Sequence, residues 1–278
     1  MSTDINDMFK DKVLGHPAGL FVLFFTEMWE RFSYYGMRAL LVMFFTASLL
    51  DGGWGWPREH AYAIFGTYTS LVYLSTLLGG YFADKKIGYR YAVVVGALLM
   101  TLGHGAMAVE TPFFIYLGLT LLVFGSGFFK PNMTSIISEM YKGKDEKKDG
   151  AYTIFYMGVN AGAFLGILLC GYLGEQVGWR WGFGLAGVFM LFGLLQFWFA
   201  QNIFGNIGIK PVKAKVANKE ISADEPKLNP FTEFQLVLIA IAGLLGISWI
   251  FNDPISKISE GAYNLFDFNL FGMEGSNL

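Results

Sequence analysis

Long apolar runs separated by short polar segments organise the chain from end to end. Seven runs reach the length of about 20 residues that crosses a bilayer, near 18–50, 60–83, 90–110, 112–139, 149–174, 181–204 and 232–252. Every backbone amide in hydrocarbon must be satisfied within its own segment, so all seven are predicted as helices. The breaks alternate in character. DGGWGWPREH, AVETPF and GEQVGWR carry few cations, whereas ADKKIGYR, YKGKDEKKDG and GIKPVKAKVANKEISADEPK are rich in lysine. The positive-inside rule then predicts a multi-pass protein of the cell inner membrane, with its N-terminus and the loops after spans two, four and six in the cytoplasm. The expected organisation is a six-helix bundle over 1–205, a charged cytoplasmic linker over 206–231, one additional transmembrane helix over 232–253 and a polar, aromatic tail over 254–278. The first run begins after MSTDINDMFKDKVLGHP and is too long for a signal core, so it is read as a span and not as a cleaved leader.

Composition narrows the class. Charged residues make up 15% of the chain and hydrophobic ones 54%, whereas soluble domains carry about 25% charged residues. A net charge of -2 gives no reason to expect a nucleic-acid partner, and one cysteine, Cys170, allows neither an internal disulfide nor a thiolate metal cluster. There is no Walker A sequence, no dinucleotide-binding glycine turn and no nucleophile with a base at suitable spacing, so an enzyme, an ATP-driven pump, a metal and a cofactor are not expected. His16 and His60 fall at span ends, and His104 is read as a hydrogen-bonded filler of its helix.

Ionisable residues inside the spans are the exception. A charge at the bilayer centre costs at least about 2.5 kcal/mol on insertion scales, so it faces a partner or a polar cavity. Glu27, Glu30, Arg31, Arg38 and Lys130 qualify. At about 100° per residue, Glu27, Glu30, Arg31, Tyr34, Tyr35 and Arg38 share one sector of roughly 140°. Glu27 and Arg31 stand at i,i+4, the spacing of a helical ion pair. At about 1.5 Å rise per residue, Arg31 of span one, Tyr73 of span two, Lys130 of span four and Asn160 of span five all lie about 15–18 Å from the cytoplasmic ends of their helices. That common level near the midplane is where secondary transporters bind substrate. Three cations against two carboxylates suit an anionic ligand group. Pro131, after Lys130, removes one helical hydrogen bond beside the predicted site.

These residues also form recognisable motifs. EMWERFSYYG, Glu27 to Gly36, resembles the ExxER motif of the proton-dependent oligopeptide transporter family within the major facilitator superfamily. FYMGVNAG, Phe155 to Gly162, is similar to that family's second signature, FFKPN around Lys130 to its fourth span, and GGYFADKKIGYR to the superfamily's loop between spans two and three. The resemblance covers about 200 residues and implies an all-α membrane fold: the N-terminal six-helix bundle of the major facilitator fold, plus one additional helix, truncated before the C-terminal bundle. It implies proton-coupled uptake of di- and tripeptides, with the proton gradient as driving force and no cofactor. Carried over by position, it implies that Glu27, Glu30, Arg31 and Lys130 couple protons. Arg31, Tyr34, Tyr35, Arg38, Tyr73, Lys130 and Asn160 would border the peptide, and Asp84 would act as a conformational latch. The place of the histidine that animal members carry on span two is Gly66, so coupling would rest on carboxylates, and the Leu-Thr-Pro of many members is replaced by Leu74, Ser75 and Thr76.

The expected partners are di- and tripeptides, protons, the lipid bilayer and a C-terminal half. Two other readings stand beside this one. The first is a non-transporting remnant or interaction module that needs a separate C-terminal half, and the second is a family relative with other cargo such as nitrate.

Overall fold

The computed structural model describes residues 12–210, 232–259, 262–266, 269–270 and 273–274. They divide between two units, Met1–Arg58 with Tyr68–Pro211 and Glu59–Thr67 with Val212–Leu278. Seven long helices occur among the described residues: α1 (Ala18–Thr46), α2 (Arg58–Phe82), α3 (Tyr89–Met107), α4 (Pro112–Met140), α5 (Asp145–Gln176), α6 (Trp179–Ala200) and α7 (Glu233–Ile258). Six of them, α2 to α7, are long and apolar enough to cross a membrane. The exception is α1, whose 29 residues include Glu27, Glu30, Arg31 and Arg38. The apolar runs are therefore helices, with boundaries shifted by local chemistry. Span one stops at Thr46, ahead of a 3-10 turn over Leu49–Asp51, and span seven runs on to Ile258 through Pro254.

The first unit is built around α1. A two-residue turn at Leu14 and Gly15, both with positive φ, pairs β1 (Lys12–Val13) with β2 (His16–Pro17) and leads into that helix. Small residues then let α5 approach closely. A Cβ at Gly162 would lie 2.2 Å from the Met28 carbonyl oxygen, and one at Gly166 would lie 2.2 Å from that of Phe32. Membrane helices gain little from hydrophobic burial against lipid, so van der Waals contact of this kind carries their association. On the other flank Ser33 Oγ donates to the Ala186 carbonyl at 2.7 Å and Trp29 Nε1 donates to Gln196 Oε1 at 3.1 Å, joining α1 to α6.

Helix α2 meets α4 where Pro131 leaves the Gly127 carbonyl without its usual helical donor. A Cβ at Gly79 would stand 2.0 Å from that oxygen, and Ser75 Oγ donates to the Val123 carbonyl at 2.7 Å one turn away. The glycine contact therefore fixes α2 beside the very segment of α4 that carries Lys130. At the end of α1, Phe44 and Phe45 pack against Trp54 and Trp56 of the following loop, with ring centroids 4.9–5.2 Å apart, and Trp179 Nε1 donates to the Asp51 carbonyl at 2.9 Å.

The second unit contains α7. Thr232 and Gln235 form a reciprocal capping box at its start, which satisfies two donors that would otherwise be orphaned. Its described apolar side chains from Phe234 to Ile247 are exposed all round, as expected of a helix surrounded by lipid. Asn252 ties the following segment back by donating to Asn264 Oδ1 at 3.0 Å and accepting from the Leu265 amide at 2.6 Å. A short antiparallel pair, Asn269–Leu270 with Met273–Glu274, follows. Of the linker expected over 206–231, the part from 211 onward lies outside the described residues, as do parts of the tail expected over 254–278.

Candidate functional site

The polar sector of α1 forms a contiguous ionic and aromatic cluster. Arg31 Nε–H donates to Glu27 Oε1 at 2.7 Å, and the same nitrogen lies 2.9 Å from Glu30 Oε2. One guanidinium thus holds two carboxylates. They are not equivalent. The Arg31 N–H points to Glu27, while Glu30 is fully buried and neither of its oxygens accepts a hydrogen bond among the described residues. A buried carboxylate without hydrogen-bond donors lacks the compensation that usually replaces water, and Glu30 is in that position while Glu27 is not.

Above the carboxylates, Tyr34 is the hub for three cations. Lys130 Nζ lies 4.0 Å from its ring centroid, Arg38 Cζ 5.3 Å and Arg31 Cζ 5.7 Å. Arg38 Nη1 also reaches Tyr34 Oη at 3.5 Å, the outer limit of a hydrogen bond. Tyr35 meets Tyr34 edge-on at 5.3 Å and lies 6.0 Å from Arg38 Cζ. Lys130 is also 5.8 Å from the Tyr73 ring of α2. Cation–π contacts are worth about 0.5–2 kcal/mol each and leave N–H donors available, so the Tyr34 ring helps to hold these cations in place without using up their donors. The resemblance pairs the carboxylates with Arg31 or Lys130; here Arg31 holds both, and Lys130 rests on aromatic faces.

Among the residues expected at the site, α1, α2 and α4 bring together Glu27, Glu30, Arg31, Tyr34, Tyr35, Arg38, Tyr73 and Lys130. Tyr73 is 65% exposed, so this wall presents an aromatic surface next to its cations. Asn160 is on α5 two residues before Gly162, whose missing side chain admits Arg31 Cβ. Its amide donates to the Tyr156 carbonyl of its own helix at 3.0 Å and its side chain is exposed. No direct contact joins Asn160 to the cluster among the described residues. Asp84 is exposed on the one-turn π-helix Ala83–Ile87, at the lysine-rich end of the bundle, within electrostatic reach of Tyr89.

Two features were not read from the sequence. Tyr68 of α2 buries its hydroxyl without a hydrogen-bond partner among the described residues, within electrostatic reach of Tyr34, Glu30 and Arg38. Depth alone did not single it out, because it lies more than a turn from Tyr73. The second is the glycine row at 158, 162 and 166, which seats α5 on α1 at Phe24, Met28 and Phe32. Its fourfold spacing was present in the sequence as a small-residue contact signal.

The family model described as POT family matches residues 90–222. Peptide transporter YePEPT of Yersinia enterocolitica is 43% identical over 200 residues, a match covering 71% of this chain and 39% of the relative. A di-/tripeptide transporter of Lactococcus lactis subsp. cremoris is 40% identical over 203 residues, covering 71% of this chain and 40% of the relative. Among solved structures, a peptide transporter POT mutant in complex with alafosfalin superposes with a TM-score of 0.71 at 38% identity, covering 88% of this chain and 49% of that one. A POT family transporter in complex with 5-aminolevulinic acid also gives 0.71, at 29% identity, covering 93% of this chain and 50% of the other. The chain thus spans about two-fifths of the length of these curated relatives and about half of the solved chains. With the helical bundle and these matches in agreement, the chain belongs to the POT family, corresponding to the N-terminal half of its members.

Proposed function

We propose that this chain forms the N-terminal half of a proton-coupled symporter for di- and tripeptides, in the inner membrane, with its lysine-rich loops in the cytoplasm. The observation that carries the proposal is the Arg31 clamp on Glu27 and Glu30 directly beneath the Tyr34 hub for Lys130 and Arg38. It puts a proton acceptor and an anion attractor on one helix. Protonation of Glu30 removes one of the two charges that hold Arg31 and frees part of the guanidinium's attraction for an incoming carboxylate. Lys130 and Arg38, seated on Tyr34 and Tyr35, supply the remaining positive field. Tyr73 offers its ring to the peptide, and the exposed Asn160 is placed to hold a peptide amide. Asp84, within the π-turn and near Tyr89, serves as the latch that changes partner when the bundle rocks. Relatives named as peptide transporters support the choice of cargo.

Alternating access needs a second wall, so we assign transport to an assembly that includes another six-helix half, on the same polypeptide or on a separate one. The test is uptake of alanyl-alanine into proteoliposomes by this chain joined to the second half of the Yersinia relative. An inward proton gradient is expected to drive uptake, and Glu30→Gln or Lys130→Ala is expected to abolish the driven component. Undiminished uptake in both variants would overturn the proposal. Uptake of nitrate in place of dipeptide would establish the other-cargo reading.

A further inference from the structure

Away from the α1 cluster, the lysine-rich end of the first unit contains a separate cavity of about 380 Å³ between the start of α3 and the segment that follows α6. Lys86, Arg90 and Lys210 line it, together with Tyr91, Gln201 and Ile209. Arg90 builds this wall. Its guanidinium donates to the carbonyls of Gly205 and Ile207 and, at 3.0 Å, to that of Gln201, while its backbone amide donates to the Gly208 carbonyl at 3.0 Å. The neighbouring carboxylates are already engaged. Glu139 accepts the Gly208 amide at 2.8 Å and balances Arg90, and Asp84 is close to the Tyr89 hydroxyl and does not line the cavity. Lys86 and Lys210 therefore supply the excess positive charge of the cavity, and none of its lining residues is acidic.

The volume lies within the range of roughly 300–1,000 Å³ of small-molecule sites, and its cations match a phosphate. Its surroundings decide what carries that phosphate. Tyr91 lines the cavity and is exposed, and Leu98 and Leu102 are exposed at i+7 and i+11 on the same face of α3. An apolar stripe thus leads from the mouth of the cavity up the outside of the bundle, where an acyl chain would lie. A basic pocket between membrane helices at that depth is suited to a lipid headgroup. We propose that this cavity binds the phosphate of an anionic glycerophospholipid from the leaflet on the lysine-rich side, through Lys86 and Lys210, with its chains against Tyr91, Leu98 and Leu102.

The experiment is native mass spectrometry of the purified 278-residue chain, delipidated and titrated with phosphatidylglycerol or phosphatidylcholine. Phosphatidylglycerol is expected to bind more tightly. Lys86→Ala with Lys210→Ala should weaken it by about fivefold per lysine, whereas Lys142→Ala with Lys144→Ala, at the same end of the bundle, should leave it unchanged. Arginine at 86 and 210 should restore binding, which separates charge recognition from a folding defect. Equal binding by the Lys86→Ala/Lys210→Ala protein, or equal affinity for the two lipids, would overturn the proposal. Displacement of phosphatidylglycerol by inorganic phosphate at comparable concentration would overturn the lipid assignment and make this a free-phosphate site.

Discussion

The contact between α1 and α5 holds the ionic cluster of α1 in place, and a single methyl group tests it. In Gly162→Ala the new Cβ would start 2.2 Å from the Met28 carbonyl oxygen and 3.0 Å from Arg31 Cβ. A carbon against a carbonyl oxygen needs about 3.3 Å or more, so the helices must separate by roughly 1 Å there. The obstacle is backbone on both sides and cannot rotate away. Overpacking of this kind costs about 1–3 kcal/mol, which lowers the folded-to-unfolded ratio by about fivefold or more. The control is Gly171→Ala on the same helix, where an added Cβ meets nothing within 4 Å and the lower backbone entropy of alanine favours the helix by about 0.5–1 kcal/mol. Reversible unfolding in mixed micelles, followed by circular dichroism, should place Gly162→Ala below wild type and Gly171→Ala at or above it. If the two variants are equally stable, the close α1–α5 approach is wrong.

Other expectations follow from individual contacts. Ser75→Ala should cost about 0.6 kcal/mol in the same unfolding assay, the average for an interhelical hydrogen bond in a membrane, because it removes the donor to the Val123 carbonyl. Arg90→Ala should be among the more destabilising substitutions at the lysine-rich end, by about 1.5–3 kcal/mol. Arg90→Lys should rescue it poorly, since an ammonium point charge cannot reproduce the planar fork that meets three carbonyls. Burial, and then the nearby Lys147, lower the pKa of His16 from its ordinary 6.5, and its Nδ1 is hydrogen-bonded with the Tyr141 hydroxyl at 2.7 Å. The folded state therefore binds fewer protons there than the unfolded state. The stabilisation is complete above pH 6.5 and is lost as pH falls below it toward the folded value. Melting curves between pH 5 and 8 should show this slope in wild type and its loss in His16→Ala.

The sequence and the structure agree best where hydrocarbon leaves no alternative. Runs of apolar residues long enough to span a bilayer had to become helices, and the breaks between them fall within a few residues of the lysine-rich and lysine-poor loops. The sector on α1 was equally accessible, because positions within one helix follow from its pitch alone. Placement between helices was not. Rise per residue gives the depth of Lys130 and Asn160 but not the direction in which each helix is turned. Lys130 consequently sits on Tyr34, not on a carboxylate, while Asn160 shares its level and makes its own helical contact with the Tyr156 carbonyl. The missing information lay in small residues. Gly79 against Gly127, and Gly158, Gly162 and Gly166 against α1, set the rotation of α2 and α5. A hydropathy reading counts those glycines as neutral.

Charge balance explains why such a cluster suits coupled transport and not simple stabilisation. Arg31, Arg38 and Lys130 face Glu27 and Glu30, so the wall carries one excess positive charge when both carboxylates are ionised. A ladder meant only to hold helices together gains nothing from that excess, since an uncompensated charge in the membrane is costly. Seating on Tyr34 stabilises these cations without adding a negative charge, so the excess of the cluster remains. On the proposed reading, a proton on Glu30 raises the excess to two and a peptide carboxylate lowers it again. Each ligand therefore makes the site more favourable for the other, and linkage requires the effect to be reciprocal. The sign of the coupling follows from which groups are present and does not depend on how far the helices move: each ligand offsets the charge the other brings, so binding both returns the wall to the single excess charge it carries with neither.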